Sequence, residues 1–129
     1  MAKKIIKVKN APQPIGPYNQ AVVINNLVYT AGQIPIDPKT GELIGGGIAE
    51  QTRRALTNLK AVLEESGSSL DSIIKATVFI KNMNDFAGMN AVYGEFIKIE
   101  TAPARSTIEA ARLPKDSLVE IEAVAEVKS

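Results

Sequence analysis

The stretch Val119-Glu120-Ile121-Glu122-Ala123 alternates carboxylates with aliphatic residues, and no other part of the chain constrains the fold as strongly. Successive side chains of a β-strand point to opposite faces of the sheet, so this alternation predicts a half-buried strand near the C-terminus. The two glutamates would project from one face of the sheet, and the aliphatic residues would pack into a core on the other.

The remaining elements follow from apolar periodicity and from residues that favour turns. Asn25-Asn26 predicts a two-residue hairpin because asparagine tolerates positive φ, and Gly67 predicts the end of a long amphipathic helix. The predicted elements are, in chain order, strands at 4–8, 21–24 and 27–32, a helix at 48–66, a strand at 73–80, a helix from 84 to about 99, and strands at 104–110 and 118–127.

The order β-β-β-α-β-α-β-β predicts an α+β fold of two layers, with one mixed sheet and both helices on one face. The other face of the sheet would be apolar in places and charged in others. Its apolar residues would include Ile73, Phe79 and Val124, and its charged residues would include Arg105, Glu120 and Glu122. A closed homo-oligomer accounts for both properties, because apolar parts would pack against neighbouring subunits while polar parts line clefts between them.

Length and composition exclude several classes of protein. The 129 residues predict a single domain over residues 1–129, and the net charge of +1 does not favour nucleic-acid binding. No apolar run is long enough to span a membrane, so we expect a cytoplasmic protein without membrane partners. The chain contains no Cys and no His, which excludes thiolate nucleophiles, imidazole bases and the usual zinc sites, and we expect no metal or cofactor.

Arg105 and Glu120 are the leading candidates for chemistry. The arginine fork can hold a carboxylate through two parallel hydrogen bonds, whereas the alternative is a cross-strand salt bridge to a glutamate of the last strand, and such ion pairs are common in sheets. A carboxylate partly removed from water can orient or deprotonate a water molecule, and Glu122 offers the same pattern as Glu120. The site we expect is therefore one for a small anionic ligand and a water molecule.

Three further polar residues have both a structural and a functional interpretation. Asn90 lies on the margin of an apolar helix stripe, where an amide either satisfies nearby backbone groups or contacts a ligand. Tyr18 follows a proline-rich loop and is typical of a packing residue with a hydrated hydroxyl. Thr107 is a strand threonine first and a ligand contact second.

Several segments together resemble a known family over essentially the whole chain. They are Ile15-Gly16-Pro17-Tyr18, Thr30-Ala31-Gly32-Gln33-Ile34-Pro35, and Pro103-Ala104-Arg105-Ser106 through Leu113-Pro114-Lys115-Asp116 to Val119-Glu120-Ile121-Glu122-Ala123. They are similar to the Rid family, the reactive intermediate deaminases, also called YjgF or L-PSP.

The resemblance implies a chorismate-mutase-like fold and a homotrimer whose sheets form a central barrel with clefts between subunits. It also implies hydrolysis of 2-iminobutanoate, 2-iminopropanoate and their enamine tautomers, which leak from pyridoxal-phosphate enzymes, to 2-keto acids and ammonia. Arg105 would clamp the substrate carboxylate and Glu120 would activate water. Tyr18, Asn90 and the backbone around Gly32 would contact the substrate.

Two positions depart from the family pattern. Many members have Ser at the position of Ala31 and Cys at the position of Thr107. The missing cysteine disfavours a covalent mechanism, although Thr107 can still hydrogen-bond a carboxylate or water. Two other functions are alternatives: a regulatory trimer that would use the same cleft to bind 2-keto acids without turnover, and a ribonuclease or translation inhibitor, an activity also attributed to this family.

Overall fold

A computed structural model describes residues 2–128, which form one six-stranded sheet covered on one face by two helices. The elements are β1 Lys4–Ile6, β2 Ala21–Ile24, β3 Leu27–Thr30, α1 Ile48–Glu65, β4 Ile73–Ile80, α2 Phe86–Phe96, β5 Ala104–Glu109 and β6 Val119–Glu126. The predicted order of strands and helices, and the two-layer α+β class, are confirmed.

The strands lie in the order β1-β2-β3-β6-β4-β5, and β6 is therefore central. β4 and β5 are parallel because α2 connects them, whereas the other neighbours are antiparallel. The hairpin between β2 and β3 turns at Asn25, whose φ is 55°, as the Asn-Asn pair predicts.

The core lies between the sheet and the helices. The helix α1 contributes three fully buried leucines and the fully buried Val62, and β6 contributes Val119, Ile121 and Ala123 from alternate positions. Glu120, Glu122 and Val124 occupy the other alternate positions and point to the opposite face of the sheet. We call this face the open face. The predicted alternation along β6 is therefore confirmed.

One predicted residue of the open face is placed wrongly. Ile73 is 4% exposed and belongs to the helix-side core, whereas Phe79 and Val124 do face the open side. The physical reason is a β-bulge at Ile74, since the pairing of β4 with β6 shifts between Ile73 and Lys75. One extra residue reverses the face of every side chain before it.

The second helix is shorter than predicted. It ends at Phe96, and Ile97 is already extended with φ −113° and ψ 115°. The residues that follow form a short 3-10 turn at Ile99–Thr101, where Ile99 is 85% exposed. The apolar spacing that predicted a longer helix continues to Ile99 in the sequence. In the structure Ile99 lines a cavity and does not join the core.

Asn58 of α1 joins the helix layer to the loop that follows β3. Its buried side-chain amide donates to the carbonyl oxygens of Ile34 and Ile36 at 3.0 and 2.9 Å. Its Oδ1 atom accepts two hydrogen bonds from Arg54 at 3.1 and 2.7 Å. This amide fixes the course of residues 34–36, which border the cavity described below.

We expect Asn58→Ala to lower the free energy of unfolding by roughly 2–4 kcal/mol, because two buried carbonyl groups lose their donors. The measurement is denaturant unfolding at matched protein concentration, since association between copies would also change stability. Thr57→Ala, an exposed change on the same helix turn, is the control and should stay within about 0.5 kcal/mol. Equal effects of the two substitutions would contradict this account of Asn58.

Candidate functional site

The predicted site residues fall into two separate cavities. The first, of about 410 Å³, is lined by Tyr18, Ala31, Gly32 and Glu120, with apolar walls that include Pro12, Ile15, Ile34 and Ile36. It is called the Glu120 cavity. The second, of about 620 Å³, is lined by Asn90, Tyr93, Pro103 and Arg105 with the isoleucines that follow α2. It is called the Arg105 cavity.

The sheet separates the two charged groups. Phe79 is the cross-strand partner of Glu120, and both side chains point to the open face. Ala76 is the parallel partner of Arg105 and is buried in the core, so the arginine points to the helix side. The expectation that Arg105 and Glu120 share one face is wrong, because the sequence of β5 alone does not reveal its register against β4.

The Glu120 carboxylate lies directly against the backbone of Gly32. A Cβ atom at this glycine would be 2.7 Å from Glu120 Cδ and 2.9 Å from Cγ, closer than real contacts allow. Glycine at position 32 is therefore required for the carboxylate to occupy this place. Burial raises the pKa of the Glu120 carboxyl above its usual range, and the neighbouring negative charge of Glu122 raises it further.

Buried amides hold the walls of the Glu120 cavity. The Gln20 side chain accepts a hydrogen bond from Val8 N at 2.6 Å and donates to the carbonyl oxygens of Val8 and Pro12, both at 2.9 Å. The backbone of Gln33 exchanges hydrogen bonds with Ile121 at 2.8 and 3.1 Å, next to Glu120. These hydrogen bonds hold two loops in fixed positions around the Glu120 carboxylate.

Arg105 is surrounded by aromatic rings and lies apart from acidic side chains. Its Cζ atom is 4.6 Å from the centroid of the Tyr93 ring and 5.7 Å from that of Phe86. The salt bridges among residues 2–128 join Arg53 to Glu95, Lys98 to Asp71 and Arg112 to Asp116, and none of them involves Arg105 or Glu120. The cross-strand salt bridge weighed for Arg105 is therefore absent from the described residues.

The other predicted residues are placed as follows. Tyr18 is 50% exposed at the rim of the Glu120 cavity, where its hydroxyl accepts a weak hydrogen bond from Ile15 N at 3.4 Å. Asn90 is exposed and lines the Arg105 cavity, one turn of helix from Tyr93. Thr107 lies two residues along β5 from Arg105, on the same face but outside the residues that line that cavity.

Sequence reasoning missed the residues that complete the two cavities. Tyr93 and Phe86 belong to the apolar stripe of α2. Their spacings of three and four residues from Asn90 are the signal that places all three on the same side of the helix. Lys115 reaches the rim of the Glu120 cavity from a backbone with φ 57°, a conformation that is rare for residues other than glycine and that the sequence did not predict.

The fold and the cavities define a two-layer α+β protein with a half-buried acid in one recess and, in another, an arginine that has no acidic partner among residues 2–128. The model of the Endoribonuclease L-PSP family matches residues 8–127, and the chain belongs to this family. The resemblance to the Rid, YjgF or L-PSP proteins is thereby confirmed.

Three similar proteins illustrate the range of names in the family. A RutC family protein of Pyrococcus abyssi is 54% identical over 125 residues, covering 97% of this chain and 98% of the relative. The 2-iminobutanoate/2-iminopropanoate deaminase of Escherichia coli K12 is 50% identical over 124 residues, covering 95% and 96%. A solved Rid-family structure from Yersinia pestis has a TM-score of 0.94 at 48% identity, covering 98% of this chain and 100% of that one.

Two further properties of residues 2–128 concern metals and membranes. Acidic side chains in this range do not converge in a group that could hold a metal ion. None of the helices in the same range combines the length and apolar character needed to cross a bilayer.

We expect Glu120→Gln to raise the thermal midpoint of unfolding at pH 7. The folded-state pKa of Glu120 lies above its ordinary value of 4.5, so the ionised carboxylate is disfavoured in the fold. The protonated form contributes stability that is lost as the pH rises through the folded pKa, and the uncharged amide retains it. Thermal unfolding at pH 7 and below pH 4.5 measures the difference, which should disappear at the lower pH.

Glu126→Gln is the matched control, because it removes the same charge from the exposed end of the same strand. An equal gain in both variants at pH 7 would mean that the general charge of the protein is responsible, and not the burial of Glu120.

Proposed function

We propose that this protein is an enamine/imine deaminase that hydrolyses 2-imino acids to 2-keto acids and ammonia. Within the described residues, Arg105 and Glu120 each lack an ion-pair partner, and this observation carries the proposal. An unpaired guanidinium in an accessible cavity suits a substrate carboxylate, and a carboxylate with a raised pKa suits a base that works near neutral pH. The 50% identical relative from Escherichia coli carries the name of this activity.

The two cavities must come together for this chemistry, and one chain does not achieve it because its sheet lies between them. We propose that the protein is a homotrimer in which the Arg105 cavity of one subunit faces the Glu120 cavity of its neighbour. The open face supports such an assembly, since it presents Phe79, Val124 and the 43% exposed Tyr29 without a covering layer in the chain.

The reaction then needs only a positioned water and proton transfers. Arg105 holds the substrate carboxylate, and Glu120 takes a proton from water as the water oxygen bonds to C2 of the protonated imine. The C=N π electrons move to nitrogen, Glu120 passes its proton to that nitrogen, and the C–N bond breaks. As ammonia leaves, the regenerated Glu120 carboxylate takes the proton of the new hydroxyl, which becomes the carbonyl of the 2-keto acid, and this proton passes to the departing ammonia to give ammonium.

Ala31 and Thr107 leave this scheme intact. Ala31 carries no nucleophilic group and Thr107 lacks the thiol of a cysteine, and the scheme uses water alone as the nucleophile. Ala31 lines the Glu120 cavity, where it provides apolar surface without a hydroxyl. Tyr18 at the same rim and Asn90 beside Arg105 would contact the substrate from the two subunits.

We expect Arg105→Ala to lower kcat/KM for freshly generated 2-iminobutanoate by at least about 100-fold, because the substrate carboxylate loses its charged partner. The measurement is release of ammonia or keto acid above the spontaneous rate. Arg53→Ala removes an exposed arginine on α1 and should leave activity unchanged. Unchanged activity in Arg105→Ala would contradict the proposal, and binding of 2-oxobutanoate without turnover by the wild type would favour the regulatory alternative.

Mixing inactive variants tests whether the site lies between subunits. Arg105→Ala and Glu120→Gln should each be inactive, but refolding an equal mixture should restore about a quarter of wild-type activity, because about three quarters of the trimers are then mixed and each mixed trimer contains one intact site of its three. No restoration in a protein that re-forms trimers would show that both residues act within one subunit.

We expect activity to fall as the pH falls through the raised pKa of Glu120, since the base must be ionised. Glu122→Gln should move this acidic limb to lower pH, because it removes a negative charge that raises the Glu120 pKa. The pH profile of kcat/KM, corrected for spontaneous hydrolysis, measures the shift. Glu64→Gln, on the exposed side of α1, should not move the limb.

A further inference from the structure

The Arg105 cavity contains an aromatic group that no part of the proposed reaction has used. Tyr93 is 7% exposed, and its ring lies 4.6 Å from Arg105 Cζ. Phe86, two turns earlier on α2, lies 5.7 Å from the same atom but is 36% exposed. Both distances are within the range of attraction between a cation and the face of a ring.

The Tyr93 hydroxyl does not explain why tyrosine occupies this position. It is buried and has no hydrogen-bond partner of good geometry within residues 2–128, which is uncommon for a buried polar group. Burial raises the pKa of the Tyr93 hydroxyl, and the charge of Arg105 partly opposes this rise. Arg105 also lowers the pKa of this hydroxyl through a side-chain contact, but that contact lacks hydrogen-bond geometry, so the ring face 4.6 Å from Cζ is the contact that can restrain the guanidinium.

Arg105 needs such a support because no carboxylate among the described residues holds it. A long side chain with several rotatable bonds would otherwise lose considerable freedom on binding a substrate. Tyr93 belongs to a helix whose packed face is buried in the core, so its ring is held rigidly. An attraction to the ring face restrains the guanidinium without occupying the in-plane N–H groups that a carboxylate requires.

We propose that Tyr93 is a positioning residue, whose ring face holds the Arg105 guanidinium in place for the substrate carboxylate. This inference rests on the proposed function, because it concerns the affinity of the same cavity for a 2-imino acid. Its consequence is selective: weakening the ring should raise KM, while kcat changes little, since Tyr93 does not touch the reacting carbon.

The test uses variants at position 93 in which the electron density of the ring face is lower but the shape of the ring is nearly unchanged. Tyr93→Phe removes a buried, unpartnered hydroxyl and keeps a ring of similar attraction, so KM should remain within about twofold of wild type. Incorporating mono-, di- and trifluorinated phenylalanine at position 93 should then raise KM for 2-iminobutanoate stepwise, to about tenfold, with kcat unchanged within about twofold. Thermal unfolding of each variant checks that the fold is retained.

The same fluorinated series at position 86 is the matched control. Its ring is farther from Arg105 and more exposed, so the rise in KM should be clearly smaller. A flat KM across the series at position 93, or an equal rise at position 86, would overturn the assignment to Tyr93. A wild type that fails to hydrolyse imines would instead overturn the proposed function, and this inference with it.

Discussion

Alternation of buried and exposed positions along the central strand is the constraint on which the rest of the structure depends. Burying Val119, Ile121 and Ala123 under the helices forces Glu120 and Glu122 onto the open face. No rearrangement within one chain can bring them to the helix side without losing that core. The acidic half of the candidate site is thus a direct consequence of how the sheet buries its apolar surface.

The position of Glu120 combines several features that disfavour the charged carboxylate. Its carboxyl group lies against a glycine backbone, within a wall of loops held by buried amides, and beside a second glutamate. Burial by these surroundings and the negative charge of Glu122 both raise the energy of the ionised form in the folded protein. Such arrangements are concentrated at functional sites, where proteins give up stability for reactivity.

Most of the secondary structure was predictable, because each element has a strong local signal. The helix α1 and the hairpin at Asn25-Asn26 appear where apolar spacing and turn residues indicated them. The errors occurred where local signals stop being decisive. The bulge at Ile74 and the early end of α2 depend on pairing with distant strands and on the cavity beside the helix, and no short pattern encodes either one.

The sequence by itself determined which chemical groups are available and, for β6, which face they occupy, because the alternation of side chains is a property of the strand alone. Only the tertiary structure decided that Arg105 lies on the helix side, since the face of a β5 residue depends on its register against β4. It also decided which rings meet the guanidinium and which glycine lies against the carboxylate, because these contacts join segments far apart in the chain. Contacts of that kind arise from packing the whole core, and the residues that make them carry no distinctive pattern of their own.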